Sequence, residues 1–129
     1  MDILNNLNNR QLEAVQHIDG PCLVIAGAGS GKTKVLTTRI ANMINNGIDS
    51  YNILAITFTN KAAKEMRDRL NNMVSDNYAF VGTFHSFGVR VIRENASYFN
   101  LTSNFSILDS DDVLSIIKKI MKDKGIDSK

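Results

Sequence analysis

Apolar positions along the chain follow two patterns. Cys22-Leu23-Val24-Ile25-Ala26 is an unbroken apolar run of strand length, as expected of a strand buried on both faces. Ile53–Phe58 and Ala79–Thr83 predict a second and third strand. Between and around them the apolar residues recur at helical spacing. Asn8 or Asn9 can cap a short helix running to about His17, and Asp19-Gly20-Pro21 then turns the chain. Lys32–Asn46 reads as a helix with Val35, Leu36, Ile40, Met43 and Ile44 on one stripe and Gly47 as its stop. Thr59 or Asn60 caps a helix to about Met73, with Ala62, Ala63, Met66 and Leu70 facing inward. Helix is also predicted from Phe84 to about Glu94 and from Asp111 to Lys124. The last begins with two acids and ends among lysines, which suits its dipole.

Strand and helix alternate, so the pattern predicts an α/β fold built from parallel βαβ units with right-handed crossovers. Ligands in such folds bind outside the carboxyl ends of the strands. The chain's chemistry-bearing residues fall at those ends.

Composition adds bounds. A chain of 129 residues, 43% hydrophobic and 22% charged with a single proline, is an ordinary globular one rather than a disordered or collagen-like one. No apolar run approaches the ~18 residues of a membrane span, and no basic region leads into an apolar stretch at the N-terminus. The one cysteine, Cys22, cannot form an internal disulfide. A cytoplasmic protein without a membrane partner is expected. At the start of a buried strand, Cys22 reads as a small core residue rather than a nucleophile. The net charge of +2 divides unevenly: −2 over residues 1–31, +5 over 32–93 and −1 over 94–129. The middle third is thus where an anionic partner would be expected, although the charge by itself is equally that of a solvated surface with uneven helices.

Ala26-Gly27-Ala28-Gly29-Ser30-Gly31-Lys32-Thr33 follows an apolar strand and opens a helix, the setting a P-loop requires. Its glycines let successive amides point at a phosphate, and the helix N-terminus adds partial positive charge. Lys32 would reach the β- and γ-phosphates of ATP, and the Thr33 hydroxyl would ligate Mg²⁺. Ala26 stands where the pattern has its first glycine. It ends the strand and offers phosphate no side chain.

Three more stretches accompany this loop. Leu7-Asn8-Asn9-Arg10-Gln11-Leu12-Glu13-Ala14-Val15 precedes it, Ala55–Met66 ends the second strand, and Gly82-Thr83-Phe84-His85-Ser86-Phe87 ends the third. Together with AGAGSGKT they closely resemble the N-terminus of superfamily 1 DNA helicases of the UvrD/Rep/PcrA family, nearest to its PcrA-type branch. The resemblance runs from about Leu7 to the end of the chain. It implies a RecA-like three-layer sandwich around a parallel sheet, incomplete in this chain, with residues 1–108 in the first motor domain (1A) and 109–129 opening its helical insertion (1B). It matches Gln11 to the glutamine that reads the adenine edge, a task suited to an amide with both donor and acceptor. Taken by itself, Gln11 reads more readily as a surface helix residue. The resemblance matches Thr57, Phe58, Asn60 and Lys61 to one single-stranded DNA contact, and Thr83, Phe84 and His85 to another. An aromatic at a strand end either stacks a base or packs into the core.

The resemblance further implies an ATP-driven enzyme that moves 3′→5′ along single-stranded DNA in repair and replication. The family's Asp-Glu pair, γ-phosphate arginines and second motor domain are not in this chain, so nucleotide binding without turnover is expected. Exposed apolar sheet surface, and with it self-association, is expected too. Asp109 follows Ile107-Leu108 but sits at a predicted helix start, which favours a capping role. Two alternatives stay open: a self-contained P-loop module or kinase-like enzyme using Asp109, and a nucleic-acid-binding protein with a vestigial loop.

Overall fold

The computed structural model describes residues 3–126. They form two compact units, one through Gly88 and one from Val89 onward, with one helix running through the division.

The first unit begins with helix α1 (Asn9–Gln16). Asn8 caps it: its side chain accepts from the Gln11 amide at 2.9 Å, while Gln11 Oε1 accepts from the Asn8 amide at 3.0 Å. Helix α2 (Lys32–Asn45) follows the glycine loop. After a 3₁₀ turn at Ser50–Asn52 come strand β1 (Leu54–Thr57), helix α3 (Asn60–Asn71), strand β2 (Phe80–Thr83) and helix α4 (Phe84–Glu94). β1 and β2 pair in parallel, Leu54 opposite Phe80 through Thr57 opposite Thr83, with α3 as the crossover. The helices begin and end within a few residues of the predicted positions.

The periodicity that predicts α2 and α3 also builds the core. Ile40 and Ala41 of α2, Met66 and Leu70 of α3, Ile53 and Val81 make one buried cluster. Ala14, Val15 and Val35 make a second between α1 and α2. Leu36, expected on the inward stripe, is exposed. Polar anchors join the elements. The Arg67 guanidinium donates to the Val81 carbonyl at 2.6 Å, fixing α3 to β2, and Arg39 donates to the Ala14 carbonyl at 2.6 Å, fixing α2 to α1.

One expectation needs correction. Among the described residues the sheet has two strands, not three, and Cys22–Ala26 makes no ladder. Leu23 and Ile25 are 85% and 89% exposed, and Cys22 is exposed rather than part of the core. The cause is physical. An unbroken apolar run suits a strand only when neighbours cover both edges and both faces, and β1 pairs with β2 instead. Two cavities, one of about 280 Å³ against α1 and α2 and one of about 440 Å³ against α1 with Arg10, Glu13 and His17 in its wall, both bordered by Ala14, Cys22 and Val24, mark where the run stands off the helices.

The second unit holds the end of α4, a 3₁₀ turn at Ala96–Phe99 and helix α5 (Ser110–Asp123). The Arg93 guanidinium lies 5.6 Å from the centre of the Phe105 ring. Asp109 caps α5, accepting from the amides of Asp111 and Asp112 at 2.9 Å each, and Asp112 answers by accepting from the Asp109 amide. Replacing Asp109 with alanine is expected to cost about 0.5–2 kcal/mol of helix stability. Far-UV circular dichroism checks this, and Mg-ATP affinity should be unchanged. Among the described residues no helix is long and apolar enough to cross a membrane.

Candidate functional site

The glycine loop owes its shape to two residues in the left-handed region, Gly29 (φ +75°) and Gly31 (φ +84°), where any other residue would be strained. A Cβ on Gly31 would also lie 3.0 Å from Gln11 Nε2. Within the loop, Ser30 Oγ donates to the Gly27 carbonyl at 2.7 Å. The loop leads straight into α2, and the Val35 amide bonds back to the Gly31 carbonyl at 3.0 Å. Among the described residues no protein acceptor takes the amides of Lys32, Thr33 and Lys34. They are the open donors of a helix head, where an anion is favoured.

Lys32 folds back across the loop. Its ammonium donates to the Ala26 carbonyl at 3.0 Å and the Gly27 carbonyl at 2.7 Å. The cation is thereby held over the loop by two neutral carbonyls, partners that a phosphate would outbid because its hydrogen bonds to the ammonium are charge-assisted. Lys34, two residues on, points elsewhere and donates to the Asn6 carbonyl.

Gln11 reaches the same loop. Its Nε2 donates to the Ser30 carbonyl at 3.0 Å while its Oε1 is engaged in the α1 cap. A cleft of about 170 Å³ brings Gln11 and Asn8 to face Ser30 and Lys32. Thus Gln11, Ala26, Gly27, Ser30 and Lys32 are tied into one hydrogen-bonded cluster, with Ala28, Gly29, Gly31 and Thr33 on its backbone path. The Thr33 side chain is half-buried in the first turn of α2. Among the described residues no three His, Cys, Asp or Glu side chains gather as a metal cage. A single hydroxyl beside open backbone amides is nevertheless a donor set that would suit Mg²⁺ carried on a phosphate, since that ion keeps most of its waters and takes substrate oxygens.

The second cluster lies at the carboxyl ends of β1 and β2. Phe58 directly follows β1 and is 97% exposed, and Phe84 directly follows β2 and is 67% exposed. Since Thr57 pairs with Thr83, the two aromatics leave adjacent strands at the same level. The core alternative for Phe58 fails in this geometry. Asn60, Lys61 and His85 are exposed around them. The two threonines behave differently. The Thr57 hydroxyl donates to the Thr59 carbonyl at 3.0 Å, and Thr83 is only 7% exposed, with its hydroxyl bonded to Ser86. Both shape the corners from which the aromatics project.

Sequence reading passed over Ser86, although Thr83-x-x-Ser86 has capping-box spacing. Arg67, one of three basic residues on α3 that could equally widen a basic surface or face solvent, is used by the structure to hold β2. The stacked, exposed Tyr51 and Tyr78 rings, 4.8 Å apart, had no sequence signal because they meet across 27 residues.

Comparisons with known proteins bear on both clusters. The chain is 50% identical over 131 residues to a probable DNA helicase II homolog of Rickettsia conorii, an alignment covering 99% of this chain and 20% of that protein. It is 48% identical over 130 residues to the ATP-dependent DNA helicase PcrA of Staphylococcus aureus, covering 98% and 18% respectively. The chain spans about a fifth of the length of these relatives. Residues 7–129, and so both the glycine loop and the strand-end aromatics, match the UvrD/REP helicase N-terminal domain, and the chain belongs to that family.

Proposed function

We propose that the chain supplies the ATP-binding part of the first motor domain of a cytoplasmic DNA helicase that moves 3′→5′ on single-stranded DNA and separates duplex during repair and replication. The observation that carries this reading is the Lys32 ammonium folded over the glycine loop at the open head of α2. In this reading the fold is RecA-like. Residues up to 108 belong to the motor domain and those from 109 begin its helical insertion. The apolar Cys22–Ala26 run then takes further strands at its edges, and by itself it favours self-association.

The loop amides and Lys32 would cradle the β- and γ-phosphates, while Gln11 would turn its amide to the adenine edge. Each needs its present partner released: Lys32 leaves the Ala26 and Gly27 carbonyls, and Gln11 leaves Ser30. Thr33 would hold Mg²⁺, which supplies charge neutralisation between the phosphates when bound. Phosphoryl transfer also needs a positioned water and charge stabilisation around the γ-phosphate. The residues here bind and orient, so the chain alone is expected to hold nucleotide weakly without turnover.

Exposed Phe58 and Phe84 support single-strand binding, since stacking on an aromatic tolerates any base. Lys61 and His85 would engage phosphates. Mg-ATP binding measured by calorimetry tests the nucleotide half; no detectable heat or saturation at millimolar nucleotide overturns it. For the DNA half, Phe58→Ala is expected to cost about 1–3 kcal/mol in affinity for an oligothymidylate, read by fluorescence anisotropy. Unchanged affinity in that variant removes Phe58 from the site.

A further inference from the structure

We propose that Ser86 is a positioning residue for the strand-end corner, holding Phe84 and His85 outward for contact with a single strand. This rests on the reading of that corner given above.

Phe84 and His85 are the first two residues of α4, so their direction is set by how the chain turns from β2 into the helix. Ser86 fixes that turn. Its Oγ accepts from the Thr83 amide at 2.8 Å and donates to the Thr83 carbonyl at 2.8 Å. In return, the Ser86 amide donates to Thr83 Oγ1 at 3.2 Å, and that hydroxyl donates to Ser86 Oγ at 3.2 Å. The pattern is a reciprocal capping box in which serine takes the place usually held by Glu or Gln. A side chain so short reaches back only if the strand comes very close. Gly82 allows this: a Cβ there would lie 2.5 Å from Ser86 Oγ and 2.8 Å from the Phe80 ring. The Phe80 ring in turn meets Phe87 edge-on, 5.5 Å between centres. Phe84 and His85 therefore sit between a polar lock and an aromatic one. The polar lock is also neutral. A carboxylate in the same position would place negative charge beside two residues meant to approach phosphates.

The test uses the chain labelled with 4-fluorophenylalanine, the Phe84 signal being assigned by its loss in Phe84→Leu. In Ser86→Ala, the ¹⁹F resonance of Phe84 is expected to move and narrow while that of Phe58 stays. Affinity for a fluorescein-labelled oligothymidylate is expected to fall about five- to tenfold, the loss of one cap interaction. Ser86→Thr, which keeps the hydroxyl, is expected to restore both. An unmoved Phe84 signal in a folded Ser86→Ala protein overturns the proposal, as does a Ser86→Thr protein no better than Ser86→Ala. If Ser86→Ala does not fold, Gly82→Ala serves, because its methyl group displaces the Ser86 hydroxyl; an unmoved Phe84 signal there is equally fatal. Unchanged affinity in Phe84→Leu ends the nucleic-acid assignment of that ring, while the DNA-free fluorine signal still decides the positioning role.

Discussion

Lys32→Ala is expected to weaken Mg-ATP binding about 10- to 100-fold, the equivalent of one or two charge-assisted hydrogen bonds. Among the described residues the ammonium is the one side-chain cation bonded inside the glycine loop, where it spans the Ala26 and Gly27 carbonyls. Its removal takes away the charge nearest the expected phosphates but leaves Gly29 and Gly31 free to keep the loop's path. Fold stability should therefore change little. Lys34→Ala is the matched control, since Lys34 carries the same charge but is bonded to the Asn6 carbonyl. Calorimetry on the two variants separates a specific phosphate ligand from general basicity. Equal losses in both, or no loss in Lys32→Ala, remove Lys32 from the site.

Leu70→Ala is expected to be the most damaging single truncation in the first unit. Leu70 is fully buried in the cluster that joins α3 to α2 and β2. Truncations of this kind cost about 2–5 kcal/mol through lost transfer energy and the cavity left behind. A domain's whole stability is about 5–15 kcal/mol, so the share is large. The thermal midpoint should fall on the order of 10 °C or more. Urea unfolding followed by circular dichroism should show a lower midpoint at an unchanged slope if the loss is purely native-state packing. A midpoint equal to wild type contradicts the core assignment.

The α2 and α3 helices were legible because Ile40, Met66 and Leu70 recur at helical spacing, and the caps of α1 and α3 are local. Asn8 and Thr59 lie beside the amides they satisfy. The glycine loop was legible for a similar reason, its conformation being written in glycines at fixed offsets. Cys22–Ala26 was misread because hydrophobicity reports what a segment would bury, not whether a neighbour is present to bury it. Phe58 was ambiguous for the opposite reason: an aromatic following an apolar strand has the same local pattern whether it packs or projects. Ser86 escaped notice because a serine at the third position of a helix is common, and its role depends on how closely Gly82 lets it approach. That approach is tertiary geometry, which spacing alone does not encode.

The two ends of the glycine loop are anchored unequally. Its far end is continuous with α2, whose packing against α1 and α3 makes it a firm mount. Its near end hangs from Cys22–Ala26, which no ladder supports. Mechanically it is a cantilever, stayed by Gln11 on Ser30 and by Lys32 on Ala26 and Gly27. On the function proposed above, those stays are the same two side chains that ATP would recruit, so loading the nucleotide would trade the loop's own bracing for bracing by the ligand.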